Sequence, residues 1–307
     1  MSGKRVSIVV LTYNRWPELR GTLERLHTQC HGYPVIVVDN GSTDGTAEHL
    51  RQAFPDVIAV RASKNLGAAG RNLGVAQVMT PYVAFCDDDT CWAPGALDRA
   101  ADLLDANADI AVLNARIVVG PDARPDPACA RMAHSPLPSV GGVGRELIGF
   151  MAGANVMRTR AFMDAGGYWE PFFIGGEETL LGLDIMADGG RIVYAPELKT
   201  RHWPSQARDA PLRRRMLARN ALWTAWLRLP LGMAARRSIA VLRDLSGWGA
   251  RLRACRDAMG GWDLIRQHRR KLDPATCAKL NTVWQAEAAG RQTTQRVQGR
   301  RPTGGQA

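Results

Sequence analysis

Three carboxylates in a row, Asp87, Asp88 and Asp89, close the apolar run YVAFC (82–86). Adjacent acids repel: at an effective dielectric near 20 each close pair costs about 4 kcal/mol. A chain tolerates this only where the tip is open to water or a positive group sits beside it. A second acidic pair, Glu177-Glu178, follows two glycines in IGGEETLLGL and opens a helical pattern, where the helix dipole stabilises both anions. His202 ends the strand-like RIVYAPELKTRH (191–202). A turn, a helix cap or a reactive centre would each account for one of these groups taken singly.

The segments that must hold them alternate two periodicities. VSIVVLTYN (6–14), PVIVVDN (34–40), VIAV (57–60) and YVAFC are short β-branched runs, apolar almost throughout. That marks strands buried on both faces. Helical patterns lie between them. Pro17 stands in a first turn ahead of Leu19, Leu23 and Leu26, and Thr46 is placed to cap a second helix. A third runs over 68–79 and a fourth starts at Pro94. This order predicts an α/β fold: a doubly wound, mostly parallel sheet with right-handed crossovers. Ligands of such sheets collect at the carboxyl ends of the strands. Those ends read Thr12-Tyr13-Asn14-Arg15, Asp39-Asn40-Gly41-Ser42, Ser63-Lys64-Asn65-Leu66-Gly67 and the Asp triplet. All are polar and all fall on one edge, which makes that edge a candidate active-site rim. No GxGxxG follows the first strand, which argues against a dinucleotide dehydrogenase, and no GxxxxGK[ST] follows it either, which removes the P-loop class.

Further along, DIAVLNARIVV (109–119) reads as a strand and leads into a Pro-rich loop over 121–138. A strand, a short helix, a Gly-Gly turn, an aromatic segment and a helix are expected over 153–190, then the strand that ends at His202. From Leu212 the pattern is helical, with Leu212, Met216, Trp223 and Leu227 along one stripe and Pro230 as its stop. Two more helical pieces are expected near 236–258 and 262–290, and a disordered tail over 291–307.

Of the 307 residues, 22% are charged and 46% belong to the apolar set, a globular balance. No apolar run approaches the ~18 residues of a membrane span, and the apolar start is too short for a signal peptide. Six scattered cysteines without a CxxC fit reduced thiols of a cytosolic protein. The net charge of +11 is uneven: residues 1–205 hold 19 Lys+Arg against 23 Asp+Glu, and residues 206–307 hold 21 against 6. The chain therefore divides into a mildly acidic body (1–205), a basic helical extension (206–290) and the tail (291–307).

Seven segments arriving in order, VVLTYNR, VIVVDNGSTDGT, NLGAAGRNLG, FCDDD, GGYWEPFFIGGEE, VYAPE and RN (219–220), make the chain resemble the family 2 glycosyltransferases of the GT-A fold from about Val6 to Asn220. The resemblance implies inverting transfer of a sugar from a nucleotide-diphosphate donor, UDP- or dTDP-linked, to an acceptor hydroxyl. It implies that Asp87-Asp88-Asp89 is the DxD element, with Asp89 on a Mn²⁺ or Mg²⁺ ion and Asp87 and Asp88 toward the ribose and base. Hard cations take carboxylate and diphosphate oxygens together, which relieves the repulsion of the triplet. His202 would complete the metal shell. Asp39 would meet the nucleotide base, Thr12, Tyr13 and Asn14 would line its pocket, and Arg71 and Lys64 would reach toward the nucleotide. Glu178 would be the base that takes the acceptor proton, with Glu177 as the other choice. Trp169 and Trp203 offer stacking faces for a sugar or fill the core. Where the family often has Asp and then Arg beyond the acidic pair, this chain has Leu180 and Asp184, which puts the acceptor side in question.

That departure keeps a second class open, a catalytically silent nucleotide-sugar-binding or membrane-scaffold protein. A sugar-1-phosphate nucleotidyltransferase would need a Gly-rich basic loop after the first strand, and LTYNRWPEL supplies none. The acceptor is a glycan, a lipid-linked molecule or a small molecule. The basic extension, with Trp223, Trp226, Trp248, Trp262 and Trp284 among its arginines, suits peripheral contact with the inner face of a membrane. It equally suits a helical lid or dimerisation element. No nucleic-acid module is recognisable, so nucleic acid is not the expected partner.

Overall fold

The computed structural model describes residues 3–204 and 210–298. In chain order its elements are β1 (Val6–Thr12), α1 (Trp16–Gln29), β2 (Val35–Asp39), α2 (Thr46–Ala53), β3 (Ile58–Arg61), α3 (Gly70–Val75), β4 (Tyr82–Asp87), β5 (Thr90–Trp92), α4 (Ala96–Ala106), β6 (Ile110–Val119), β7 (Arg124–Pro125), α5 (Pro127–Ala133), β8 (Ser139–Val140), β9 (Gly144–Leu147), β10 (Asn155–Arg158), α6 (Thr159–Asp164), α7 (Glu177–Ala187), β11 (Arg191–His202), α8 (Ala210–Arg228), α9 (Leu231–Asp244), α10 (Trp248–Met259), α11 (Trp262–His268) and α12 (Pro274–Gln298). Single 3₁₀ turns cover Gly67–Ala69 and Glu170–Phe172.

One sheet runs β3-β2-β1-β4-β10-β6-β11-β9-β8, with β5 on β11 and β7 on β6. The strands β3, β2, β1 and β4 are parallel, as are β6 and β11. Antiparallel β10 joins these two parallel groups. From β1 the chain winds outward to β3 and then returns to β4 on the other side of β1. The carboxyl ends of β1 and β4 therefore flank a switch point, where such sheets open a crevice. Register places Thr12 beside Asp39 and Leu11 beside Asp87.

Alternation along β1 explains the layers. Val6, Ile8 and Val10 pack with Leu19, Leu23 and Leu26 of α1 and Leu97, Ala100 and Leu104 of α4. Val9 faces the other way, into a cluster with Phe85, Phe162, Tyr168, Leu181 and Ile185. Burial on both faces holds for β1, β2 and β4. It does not hold for VIAV: β3 is an edge strand whose Ile58, Ala59 and Arg61 are exposed. The third helix is also shorter than its apolar pattern: a 3₁₀ turn occupies 67–69, and α3 ends at Val75. Gly74 explains the close seat of α3 on the sheet, since a Cβ there would lie 2.6 Å from Val9 Cγ1. Thr46 does not cap α2; the Asp44 carboxylate accepts from the Thr46 backbone N–H instead, at 3.1 Å.

The Pro-rich stretch 121–138 is not irregular throughout, since α5 forms there with Asp126 accepting from Ala128 N at 2.7 Å. The C-terminal half breaks more often than its pattern implies, into α8 to α12. Leu212 is exposed, so the stripe expected on α8 shifts: Ala218, Leu222, Trp223, Ala225 and Leu227 are buried on several sides against α7, α9, α10 and α11. Helix α12 continues to Gln298, into the first part of the stretch expected to be disordered, and residues 299–307 lie outside the described residues. Asp184 of α7 receives Nε and an Nη of Arg228 of α8 at 2.5 and 2.9 Å, so the extension is bolted to the helix that begins with the acidic pair.

Candidate active site

The strand-end turns are tied to one another before any ligand arrives. Asn14 adopts a left-handed φ of 52°, gives its N–H to Ser42 Oγ at 2.9 Å and accepts from Thr43 N at 2.8 Å. Asn40 donates to Asn65 Oδ1 and Gly67 O and accepts from Leu66 N. Asp39, buried at the end of β2, accepts from Ser42 N at 2.9 Å, while its Oδ2 has no hydrogen-bond partner and lies 3.4 Å from Arg61 Nε. Tyr13 projects outward, 41% exposed. Lys64 is placed differently from the rest: its ammonium pairs at 3.2 Å with Glu170, and both side chains are exposed.

The triplet is surrounded by positive charge that the protein itself supplies. Arg71, buried in α3, pairs with Asp87. Arg15 reaches Asp88 at 2.6 Å and Asp89 at 3.1 Å. His202 Nε2 stands 3.5 Å from Asp89 Oδ1. The Thr12 hydroxyl donates to Asp88 Oδ2 at 2.9 Å, and Thr22 donates to the Asp88 carbonyl at 2.8 Å. Burial, with Asp89 and Asp87 alongside, outweighs Arg15 and Thr12 and pushes the Asp88 carboxyl up to about 7. Asp89 goes the other way. Burial opposes its charge, but hydrogen bonds from His202 and Arg15 and their charges hold it below the usual carboxylate range. Arg15, placed on the rim by VVLTYNR but given no role there, is the cation that faces two of the three acids.

The acidic pair opens α7 behind two consecutive left-handed glycines, Gly175 and Gly176, with φ of 88° and 87°. This sharp entry is clamped from α8. Asn220 donates its amide to three carbonyls, those of Phe172, Ile174 and Gly175, at 2.9, 3.2 and 2.6 Å. Arg219 gives an Nη to the carbonyls of Pro171 and Phe172, both at 2.9 Å, and stacks 4.3 Å from the Trp223 ring. The RN pair thus shapes the loop that presents the acids. Glu177 is buried, its Oε2 lacks a hydrogen-bond partner, and burial raises its pKa. Glu178 is enclosed by protein on most sides yet keeps part of its surface open to solvent. Burial and then the Glu177 charge push its carboxyl up to about 7. Arg71 links the two acidic centres: burial weakens its charge, but Asp87, Tyr168, Glu177 and Glu178 more than restore it. Trp169 packs among Phe172, Trp223 and His268 as part of the core. Trp203 takes Arg25 over its ring at 3.9 Å.

The departure at 180 and 184 has a physical reading here. Leu180 fills a cluster with Phe172 and Trp223, and Asp184 holds Arg228 of α8, an ion pair between the two helices.

Several polar atoms at this crevice are buried with no hydrogen-bond partner: Arg15 Nε, Asp39 Oδ2, Arg71 Nε, the Tyr168 hydroxyl and Glu177 Oε2. Buried groups of this kind are normally satisfied, so a polar ligand is the fitting occupant. No three or more His, Cys, Asp or Glu converge as a complete metal site among the described residues. The Asp89–His202 pair supplies two donors, a carboxylate and an imidazole. That is a fitting protein share for a divalent cation that takes its other ligands from phosphates and water.

The family model described as glycosyl transferase family 2 matches residues 7–167. The chain belongs to this family. It is 37% identical over 118 residues to the polyprenol monophosphomannose synthase of Mycolicibacterium smegmatis, a match covering 36% of this chain and 44% of that protein. The aligned part thus spans less than half of that synthase. Identity is 25% over 280 residues with the N-acetylglucosaminyl-diphospho-decaprenol L-rhamnosyltransferase of Mycobacterium tuberculosis, covering 78% of this chain and 91% of that one. Among solved structures, Staphylococcus aureus TarS 1-349 in complex with UDP-GlcNAc superposes with a TM-score of 0.59 at 20% identity, over 78% of this chain and 71% of that one. The Pyrobaculum calidifontis mannosyltransferase PcManGT in complex with GDP-Man and Mn²⁺ gives 0.54 at 19%, over 92% and 86%. These structural likenesses establish the GT-A fold of this family 2 member.

Proposed function

We propose that this family 2 member transfers a sugar, with inversion, from a UDP- or dTDP-linked donor to an acceptor hydroxyl, within a catalytic unit of about residues 1–205. The observation that carries the reading is a pair of acidic centres, one at the switch point of the sheet, where buried Arg71 pairs with Asp87, and one at the start of α7, whose charges also act on Arg71. The nucleotide occupies the crevice lined by Thr12, Tyr13 and Asn14. Asp39 Oδ2 accepts from the base, and Asp87 and Asp88 face the ribose and base. A divalent ion, Mn²⁺ or Mg²⁺, held by Asp89 and His202, would supply charge neutralisation of the donor diphosphate. PcManGT, which shares the fold, is a structure with Mn²⁺ and a nucleotide-sugar bound.

Glu178 does the proton chemistry. Its carboxylate takes the proton from the acceptor hydroxyl as the oxygen attacks the anomeric carbon. The bond from that carbon to the diphosphate breaks, and its electron pair leaves with the diphosphate. A base with a pKa near the working pH is best suited to this, and Glu178 sits there with solvent access while Glu177 is shut in. Arg71, between the leaving side and the base, steadies both anions. The lipid-linked substrates named for both mycobacterial relatives support a lipid-linked acceptor. No helix among the described residues is long and apolar enough to cross a membrane.

The test is calorimetric titration with UDP, dTDP and GDP, each in Mn²⁺ and then in EDTA, repeated on Asp89→Asn. Metal-dependent binding of one nucleotide, lost in the variant, is the expected result. Folded protein that binds none of the three sinks the donor-site assignment and leaves the silent-scaffold alternative.

A further inference from the structure

Helix α10 is packed inside out. In an ordinary surface helix the large apolar side chains face the core and the polar ones face water. Here the core-facing positions are Ala254 and Ala258, set against Ala218 and Leu222 of α8 and against Val241, Leu242 and Leu245. The large apolar side chains point outward: Trp248 is 76% exposed, Leu252 66% and Met259 67%. Their spacing of four and seven residues puts all three within about 40° of one another on the helix wheel, so they form one stripe.

The charges beside the stripe are all positive. Arg256 lies about 60° to one side of it and Arg251 about 80° to the other, with the Arg251 guanidinium 5.6 Å from the Trp248 ring. The helix has one acid, Asp257, on the inner side, where Arg215 of α8 holds it at 2.6 Å; Arg256 also comes within 3.6 Å of it, with its side chain 71% exposed. Solvent gains nothing from an exposed Trp-Leu-Met row, and a patch of this kind marks an interaction surface.

We infer that the outer face of α10 docks on an anionic lipid bilayer, with the Trp248-Leu252-Met259 stripe in the interface and Arg251 and Arg256 on the lipid phosphates. Charge decides the occupant. Two-fold packing of the stripe against a second copy would bring Arg251 and Arg256 of both chains together with no acid on that face, whereas an anionic surface complements both arginines. A tryptophan at the start of such a helix suits the headgroup boundary. The attachment has a use for the proposed reaction, because α10 packs on the same α8 that clamps the acidic pair through Asn220. A lipid-linked acceptor would then be met where it resides.

The experiment is co-sedimentation of the full chain with phosphatidylcholine vesicles with and without phosphatidylglycerol, at low and high salt, alongside tryptophan fluorescence. Wild type should bind only the phosphatidylglycerol vesicles, lose binding in salt, and show a blue shift. The triple variant Trp248→Ser, Leu252→Ser, Met259→Ser alters exposed side chains only; it should bind roughly tenfold or more weakly and lose the blue shift. Arg251→Gln and Arg256→Gln should each weaken binding roughly fivefold. Folded wild type that ignores phosphatidylglycerol vesicles overturns the inference, as does a triple variant that binds them as wild type does. A wild-type dimer in lipid-free light scattering that the triple variant turns into monomer, without vesicle binding, reassigns the face to self-association. Nucleotide titration without lipid should be the same for all these proteins, so failure here is separate from failure of the transferase reading.

Discussion

Arg15 offers a direct measure of how the Asp triplet is held together. Replacing it with glutamine removes the cation from two carboxylates that are 4% exposed while the arginine itself is 22% exposed. At pH 8, where Asp88 with its carboxyl raised to about 7 is ionised, the 2.6 and 3.1 Å contacts amount to about 6 and about 5 kcal/mol at an effective dielectric of 20. Most of that offsets the loss of hydration of the three charges. Breaking such a pair from one side typically costs 3–5 kcal/mol when it is fully buried. The partial exposure of Arg15 reduces the expected loss to about 2 kcal/mol. Thermal unfolding in EDTA should therefore show Arg15→Gln melting roughly 4 °C below wild type. A divalent ion on Asp89 replaces the missing charge, so saturating Mn²⁺ should restore most of the difference. Without nucleotide, Mn²⁺ no longer competes with Arg15, and its affinity measured by calorimetry should rise roughly thirtyfold, the equivalent of that 2 kcal/mol. If the variant is as stable as wild type in EDTA and binds Mn²⁺ no more tightly, Arg15 is not the counter-charge of the triplet and the reasoning fails.

Other expectations follow from the acidic pair and its supports. Because burial and Glu177 raise the Glu178 carboxyl to about 7, kcat/KM should climb with pH and level off above that value. Glu178→Gln should reduce turnover by roughly 10²–10⁴ while nucleotide binding stays intact. A raised folded-state pKa favours the protonated acid, so ionising Glu178 costs stability as pH rises from its unfolded value through about 7. Glu178→Gln should accordingly unfold at higher denaturant than wild type at pH 8, by on the order of 1 kcal/mol, and equal midpoints at pH 8 would contradict the burial argument. Asn220→Ala leaves three carbonyls without their donor; it should cost about 2–3 kcal/mol and lower kcat with little change in nucleotide affinity. Asp184→Asn should lose about 3 kcal/mol, whereas Asp184→Leu combined with Arg228→Met should recover most of it, as compared by urea unfolding.

The strands that line the crevice could be read because β1, β2 and β4 are covered on both faces and so carry unbroken apolar runs. VIAV carried the same run yet lies at the sheet edge; local composition does not say how many neighbours a strand will find. The rim turns were also readable, since polar residues directly after such strands have one place to go. What could not be read were partners set by folding. Lys64 sits on the rim, but Glu170, more than a hundred residues later, draws it to the surface. Arg15 looked like part of a turn until the sheet brought it against Asp88 and Asp89 from 73 and 74 residues away. The C-terminal helices were blurred for another reason. Helix α8 is enclosed by several neighbours and lacks a single apolar stripe, while α10 wears its large side chains outside, so periodicity pointed to no clean boundary. Asp184 reads as a departure because it stands where the family often has arginine, and its partner Arg228, 44 residues on in α8, is set only by folding.

The three carbonyls held by Asn220 also bear on how this chain can be taken apart. A charge map places the seam between body and extension near residue 205, where a protein engineer would cut to exchange acceptor preferences. The chain beyond that seam is not a passenger, because Asn220 sets the backbone path that leads into Glu177 and Glu178. A fragment trimmed there keeps the sheet and its rim but gives up the fastening of Gly175 and the brace on Asp184. Grafting a foreign extension would therefore succeed only if the transplant begins beyond Arg228, leaving the first helix with its host.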